Sequence, residues 1–185
     1  MRRDFPPPKL FPESGLAGES VLLKRFEAAD ISPEYLAWLN DPQVVRFSNQ
    51  RFCRHDESSA ISYLASFEGG NNLFLGIRRK SDSRLVGTLT AYISVNHETA
   101  DVGILIGDPS VWGSGVGSDA WSTLQNWLFS VLNIRKLTAG TMACNIGMLR
   151  IFERSGMHLE ATRKDQELIE GKAIDILYYA KFDDC

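Results

Sequence analysis

The sequence predicts an α+β fold, a mixed α/β arrangement with helices covering a central sheet, and three observations carry the prediction. Apolar and polar residues alternate with period two over residues 73–77, 85–95, 100–106 and 174–182, as half-buried strands do. Other segments place apolar residues at helical spacing, most clearly Val116, Ala120, Leu124, Trp127, Leu128 and Val131. The strands before and after that helix must run parallel if they share a sheet, whereas the short-turn hairpins are antiparallel, so the sheet is mixed.

Taken in order, residues 1–18 hold Pro6, Pro7, Pro8 and Pro12 with Gly15 and Gly18, which reads as a stiff, extended leader ahead of a domain spanning 19–185. Residues 21–26 form a first strand. Pro33 then opens an amphipathic helix through Tyr35, Leu36 and Leu39 that Asn40-Asp41-Pro42 interrupts, with a further helical turn expected to Phe47. Ile61, Leu64 and Ala65 lie on one face of a helix over 57–67, stopped by Gly69-Gly70. In the following hairpin Leu89, Ala91, Ile93 and Val95 share one face, and Thr88, Thr90 and Tyr92 the other. A turn at Asn96-His97-Glu98 leads into the strand 100–106, then the Gly107-Asp108-Pro109 break and a glycine-dense turn. The long helix follows from Val116. A strand over 136–144, a helix over 146–154 stopped by Gly156, and two closing strands complete the chain.

At 185 residues the chain suits one compact domain. Lys+Arg 20 against Asp+Glu 23 leaves a net charge of -3, with 44% hydrophobic residues, an ordinary globular composition. A pI near 5.6 argues against phosphate-backbone binding as the main role, so no nucleic-acid partner is expected. Cys53, Cys144 and Cys185 are too few and odd in number for a disulfide framework, and Cys144 reads as a buried strand cysteine. The early arginines are followed by prolines and charges rather than an apolar run, so neither export nor a membrane is expected, and a cytoplasmic location fits.

The turn Trp112-Gly113-Ser114-Gly115-Val116-Gly117 feeds a helix N-terminus, where unpaired backbone N–H groups and the positive end of the helix dipole meet. Glycines let an anion approach that backbone closely. The dinucleotide fingerprint needs a third glycine where Ser118 stands, and a P-loop needs a Gly-Lys-Ser/Thr ending that is absent. The alternative is a tight strand-to-helix turn with no ligand.

Three stretches together, residues 101–106, 112–117 and 145–157, resemble the acetyl-CoA-binding motifs of the GNAT superfamily of N-acetyltransferases, across roughly residues 20–182. The Trp-Gly-x-Gly form is similar to the branch holding ribosomal-protein alanine and amino-sugar acetyltransferases. The resemblance implies a mostly antiparallel, twisted sheet of about six to seven strands. It also implies that acetyl-CoA is the co-substrate, with Trp112, Gly113, Ser114, Gly115, Val116, Gly117 and Ser118 around its pyrophosphate, Ile104, Leu105 and Ile106 along its pantetheine arm, and Asn145 near the thiol.

Acetyl transfer needs a neutral amine and a fate for the leaving thiolate. Asp101 shares a strand face with Gly103 and Leu105 and is the candidate base, with His97 second; a solvated strand-start acid and a surface histidine are the plain alternatives. Asn145 is also a good N-cap. Relatives often carry Tyr seven residues after that Asn, or Ser three after it; here Phe152 and Met148 stand there, so both usual leaving-group partners are missing. The family's acceptor wall maps to residues 38–54, where Trp38, Asn40, Arg46 and Arg51 are the candidate substrate-binding residues beside Phe47 and Arg54; their plain alternative is core packing and solvated charge. The expected acceptor is a small-molecule amine, such as a nucleotide-linked amino sugar, or a peptide N-terminus of ribosomal-protein type. Polyamines fit less well against a basic wall. A homodimer is compatible with the sequence, no metal spacing is present, and a catalytically silent acetyl-CoA sensor or interaction domain is the alternative class.

Overall fold

The computed structural model describes residues 11–183. The strands are β1 (Leu16–Ala17), β2 (Val21–Arg25), β3 (Leu73–Arg79), β4 (Leu85–Ser94), β5 (Thr99–Ile106), β6 (Lys136–Met142), β7 (His158–Ile169) and β8 (Lys172–Phe182). The helices are α1 (Pro33–Asn40), α2 (Glu57–Ala65), α3 (Val116–Ser130) and α4 (Ile146–Arg154). All eight strands join one sheet in the order β1-β2-β3-β4-β5-β6-β8-β7. Only β5 and β6, which α3 connects, are parallel among the ladders formed. The expected mixed, mostly antiparallel sheet is therefore present, with eight strands rather than six or seven.

Local chemistry explains the helix ends. Ser32 caps α1 by accepting from Tyr35 N–H, with Pro33 in the first turn where no N–H is needed. Asp56 and Ser59 form a reciprocal capping box on α2. The turn expected to be helical before Phe47 is not; a short 3-10 segment at Asn49–Phe52 follows instead.

Alternation along the strands divides the apolar residues between two cores. Leu75, Leu89 and Val102 join Val116, Ala120, Trp121, Leu124 and Leu128 of α3. On the other face Phe26 and Phe74 pack with Tyr35, Trp38 and Leu39 of α1 and Ala60 of α2. Each fully buried Leu-sized side chain contributes roughly 1.5–3 kcal/mol, so the first core dominates stability.

Residues 11–18, read from sequence as leader, belong to the folded unit. Phe11 is buried edge-on against Trp127, with ring centroids 5.4 Å apart, and β1 pairs with β2. Asp119, in the first turn of α3, accepts from the N–H groups of Glu19 (2.9 Å), Ser20 (2.6 Å) and Val21 (3.1 Å). The rest of the expected leader, residues 1–10, lies outside the described residues, as does Cys185. Among the described residues no helix is long and apolar enough to cross a membrane.

Candidate functional site

The parallel ladder between β5 and β6 is short. It runs from Thr99–Lys136 to Asp101–Thr138 and stops, while β5 stays paired to β4 as far as Ile106–Gly87, and β6 to β8 as far as Met142–Ile176. The facing edges of residues 102–106 and 139–142 therefore form a wedge with its apex at Asp101–Thr138. Strand edges without a partner are normally covered or blunted, and this wedge presents main-chain groups with which an extended, amide-bearing ligand can pair.

The wide end of the wedge lies at the glycine turn. Gly113 and Gly115 have φ of +76° and +94°, and a Cβ built on either meets nothing within 4 Å, so both face open space. Gly115 is the N-cap of α3 and supplies no side-chain acceptor, leaving the helix's first N–H groups to an outside partner. Trp112, half exposed, donates its indole N–H to the Ile106 carbonyl at 2.9 Å and braces the strand end. The Ser114 hydroxyl donates to the Val111 carbonyl at 2.6 Å. Ile104, Leu105 and Ile106 are partly buried, and Gly117 packs near Ile151 of α4. Asn145 caps α4, its Oδ1 accepting from Met148 N–H at 3.2 Å while its Nδ2 donates to Thr141 at 3.1 Å. Phe152 is fully buried, stacked on Tyr179 at 4.7 Å, so that position is core.

At the apex the Thr138 hydroxyl donates to Asp101 Oδ2 at 2.7 Å. Burial pushes the Asp101 carboxyl above the ordinary 3.8, with the Thr138 hydrogen bond pulling the other way. Asp101 borders a cleft of about 300 Å³, together with Gly140, Tyr178, Arg163, Glu167 and Phe47. Gly140 makes room for Tyr178: a Cβ there would lie 3.0 Å from the ring. Arg51 reaches Glu167 at 3.4 Å, and Arg46 reaches Glu170 at 3.5 Å, so two ion pairs tie the loop after α1 to the β7–β8 hairpin.

Several expected residues stand elsewhere. Trp38 is buried in the second core against Gly107, whose Cβ would overlap its ring, and so is no exposed platform. Asn40 is a staple, accepting from His55 N–H and donating to the Leu36 and His55 carbonyls. His97 is exposed in the β4–β5 turn, where its carbonyl accepts from Arg135. Cys144, expected to be buried in a strand, is exposed just past β6. Conversely, Thr138, Arg163, Glu167 and Tyr178 were not read from the sequence. Only Gly140 across from an aromatic offered a signal, and it needs the β6–β8 register.

Known proteins share this fold and family signature. A family model described as an acetyltransferase (GNAT) domain matches residues 20–158. The Bacillus subtilis protein "Probable N-acetyltransferase YjcK" is 23% identical over 164 residues, covering 84% of this chain and 90% of its own length. A GNAT-family acetyltransferase from Bacillus anthracis superposes with a TM-score of 0.77 at 19% identity, covering 91% of this chain and 98% of that one. Spermidine N-acetyltransferase from Vibrio cholerae, in complex with CoA and spermine, gives 0.77 at 16% identity, covering 89% and 96%. The microcin C7 self-immunity acetyltransferase MccE, in complex with acetyl-CoA and AMP, gives 0.77 at 19% identity, covering 93% and 98%. With the matched region spanning the split sheet and the glycine turn, the chain belongs to the GNAT acetyltransferase family and is an acetyl-CoA-dependent acyltransferase.

Proposed function

We propose that the protein transfers the acetyl group of acetyl-CoA directly to a primary amine in a ternary complex, with the cofactor in the wedge and the acceptor in the cleft at its apex. The observation that carries this reading is the end of the β5–β6 ladder at Asp101–Thr138, which puts a carboxylate where the slot meets the cleft. The open turn fits a pyrophosphate, held by backbone N–H groups of Gly113, Gly115, Val116, Gly117 and Ser118. The free β5 edge at Ile104, Leu105 and Ile106 fits the amide-bearing pantetheine arm. Asn145, at the head of α4, holds the far wall through Thr141.

When bound, acetyl-CoA supplies an activated acyl group with a tolerable leaving group. Asp101 takes the proton of the acceptor ammonium, and Thr138 fixes the carboxylate's orientation. The freed nitrogen lone pair attacks the thioester carbon, the carbon–sulfur bond breaks, and the departing thiolate is protonated from water. Phe152 lies in the core and has no proton to give, so positioning supplies much of the rate.

The acceptor is a nucleotide-linked amino sugar or a protein N-terminus, as in the amino-sugar and ribosomal-protein alanine branch that the Trp-Gly-x-Gly turn resembles. Release of free CoA, compared across nucleotide-linked amino sugars and N-terminal peptides, tests this; turnover on one class is expected. Tight acetyl-CoA binding without turnover on any amine would instead favour a sensor, the reading that apolar Met148 and Phe152 support. No acetyl-CoA binding would overturn both.

A further inference from the structure

The cations around the cleft differ in what they already hold. Arg51 is committed to Glu167, to the Ser48 carbonyl at 2.8 Å and to the Leu168 carbonyl at 3.4 Å, and Arg46 is paired with Glu170. Arg163 is different: its guanidinium lies over the Tyr178 ring, 4.9 Å from the centroid, and no carboxylate or other hydrogen-bond acceptor among the described residues engages it. The Tyr178 hydroxyl has no partner among them either.

Register places this pair on the acceptor side. Arg163 stands opposite Ile176, Tyr178 opposite Gly140, and Thr138, two residues from Gly140, holds Asp101, so all of these rise from one sheet face. A guanidinium resting on an aromatic face keeps its N–H fork available for paired oxygens of a carboxylate or a phosphate. The other carboxylate bordering the cleft, Glu167, is offset by Arg51, which leaves Asp101 and Arg163 as opposite charges in one cavity, neither in an ion pair among the described residues.

We infer that Arg163 anchors an anionic group of the acceptor, so the substrate is an amine that also carries a phosphate or a carboxylate, its nitrogen at Asp101 and its anion at Arg163. This rests on the acetyltransferase reading above. It disfavours polyamines, which would bring only positive charge to an unpaired guanidinium.

Matched acceptors test it: an amino sugar with and without a phosphate ester, and a dipeptide with a free C-terminal carboxylate beside its amide. The anionic member of at least one pair should show kcat/KM about 10- to 100-fold higher, the range of a charge-assisted hydrogen bond, and which pair responds separates phosphate from carboxylate. Arg163→Gln should bring that ratio close to one while acetyl-CoA affinity stays at the wild-type level. Equal rates within both pairs, a ratio that survives in Arg163→Gln, or a loss of acetyl-CoA affinity in that variant would each overturn the assignment. If no amine is acetylated, the transfer reading fails by itself. Calorimetric binding of the phosphate-bearing amino sugar then decides Arg163: weaker binding in Arg163→Gln supports the anchor, and equal binding refutes it.

Discussion

The two halves of the site are built from different materials. The wedge and glycine turn, proposed above as the cofactor half, present main-chain groups: a strand edge that leaves its partner, two residues at positive φ and a helix N-terminus with no side-chain cap. The cleft proposed for the acceptor is lined by side chains from β5, β6, β7, β8 and the loop after α1. Backbone recognition is tolerant of sequence provided that the glycines remain, whereas side-chain recognition can be retuned one residue at a time. A single fold can thus keep one cofactor while changing its acceptor.

Substitutions should separate the halves. Asp101→Asn should lower kcat by about 100-fold or more, the range of general acid–base catalysis, with acetyl-CoA affinity nearly unchanged. Because the Asp101 carboxyl sits above the ordinary 3.8, the base form is lost as pH falls through that raised value. The acid limb of the kcat/KM profile should vanish in the variant; wild-type turnover would remove Asp101 from the chemistry. Gly115→Val acts on the other half. It places a β-branched residue at φ +94°, costing about 1–2 kcal/mol of stability, and fills the open face of the turn. Acetyl-CoA affinity should fall about 100-fold; retained affinity in a folded variant would disconnect the turn from the cofactor.

The smallest effect concerns the first turn of α3, which Asp119 ties to residues 19–21. Asp119→Ala removes the clamp on residues 19–21 and should lower stability by about 1–2 kcal/mol in a denaturant titration. Burial alone would push the Asp119 carboxyl up, but hydrogen bonds from Ser20, Glu19 and Val21 hold it below 3.8. Its stabilisation is therefore present above the unfolded pKa and lost as pH falls through the folded one. The variant should lack that part of the acid destabilisation, and an unchanged pH profile would count against the clamp.

Legibility in the sequence follows the same division. The glycine turn, the α3 stripe and the face shared by Asp101, Gly103 and Leu105 were readable because glycine spacing and periodicity are local signals. Of the two closing strands expected, only the last could be given bounds: nearly every residue of β7, His158–Ile169, is exposed, so no apolar alternation marks where it lies. That hid Arg163 and Glu167. Without them the arginines of residues 46–54 looked available, although two are paired to the hairpin. Trp38 looked like a platform because nothing local reveals that Gly107, far along the chain, is cut away beneath it. The early prolines likewise masked Phe11, whose burial depends on the distant Trp127.

The gap between β5 and β6 has a consequence for the lifetime of the protein. A ligand that bridges two halves of one sheet binds the folded chain and not the unfolded one, so occupancy feeds directly into resistance to unfolding. At a concentration 100 times Kd it adds about 2.7 kcal/mol, roughly 5–10 °C in Tm for a domain of this size. The unoccupied protein is then the form most open to proteolysis, and the cellular level of the chain would follow the supply of acetyl-CoA as well as the rate of its own synthesis.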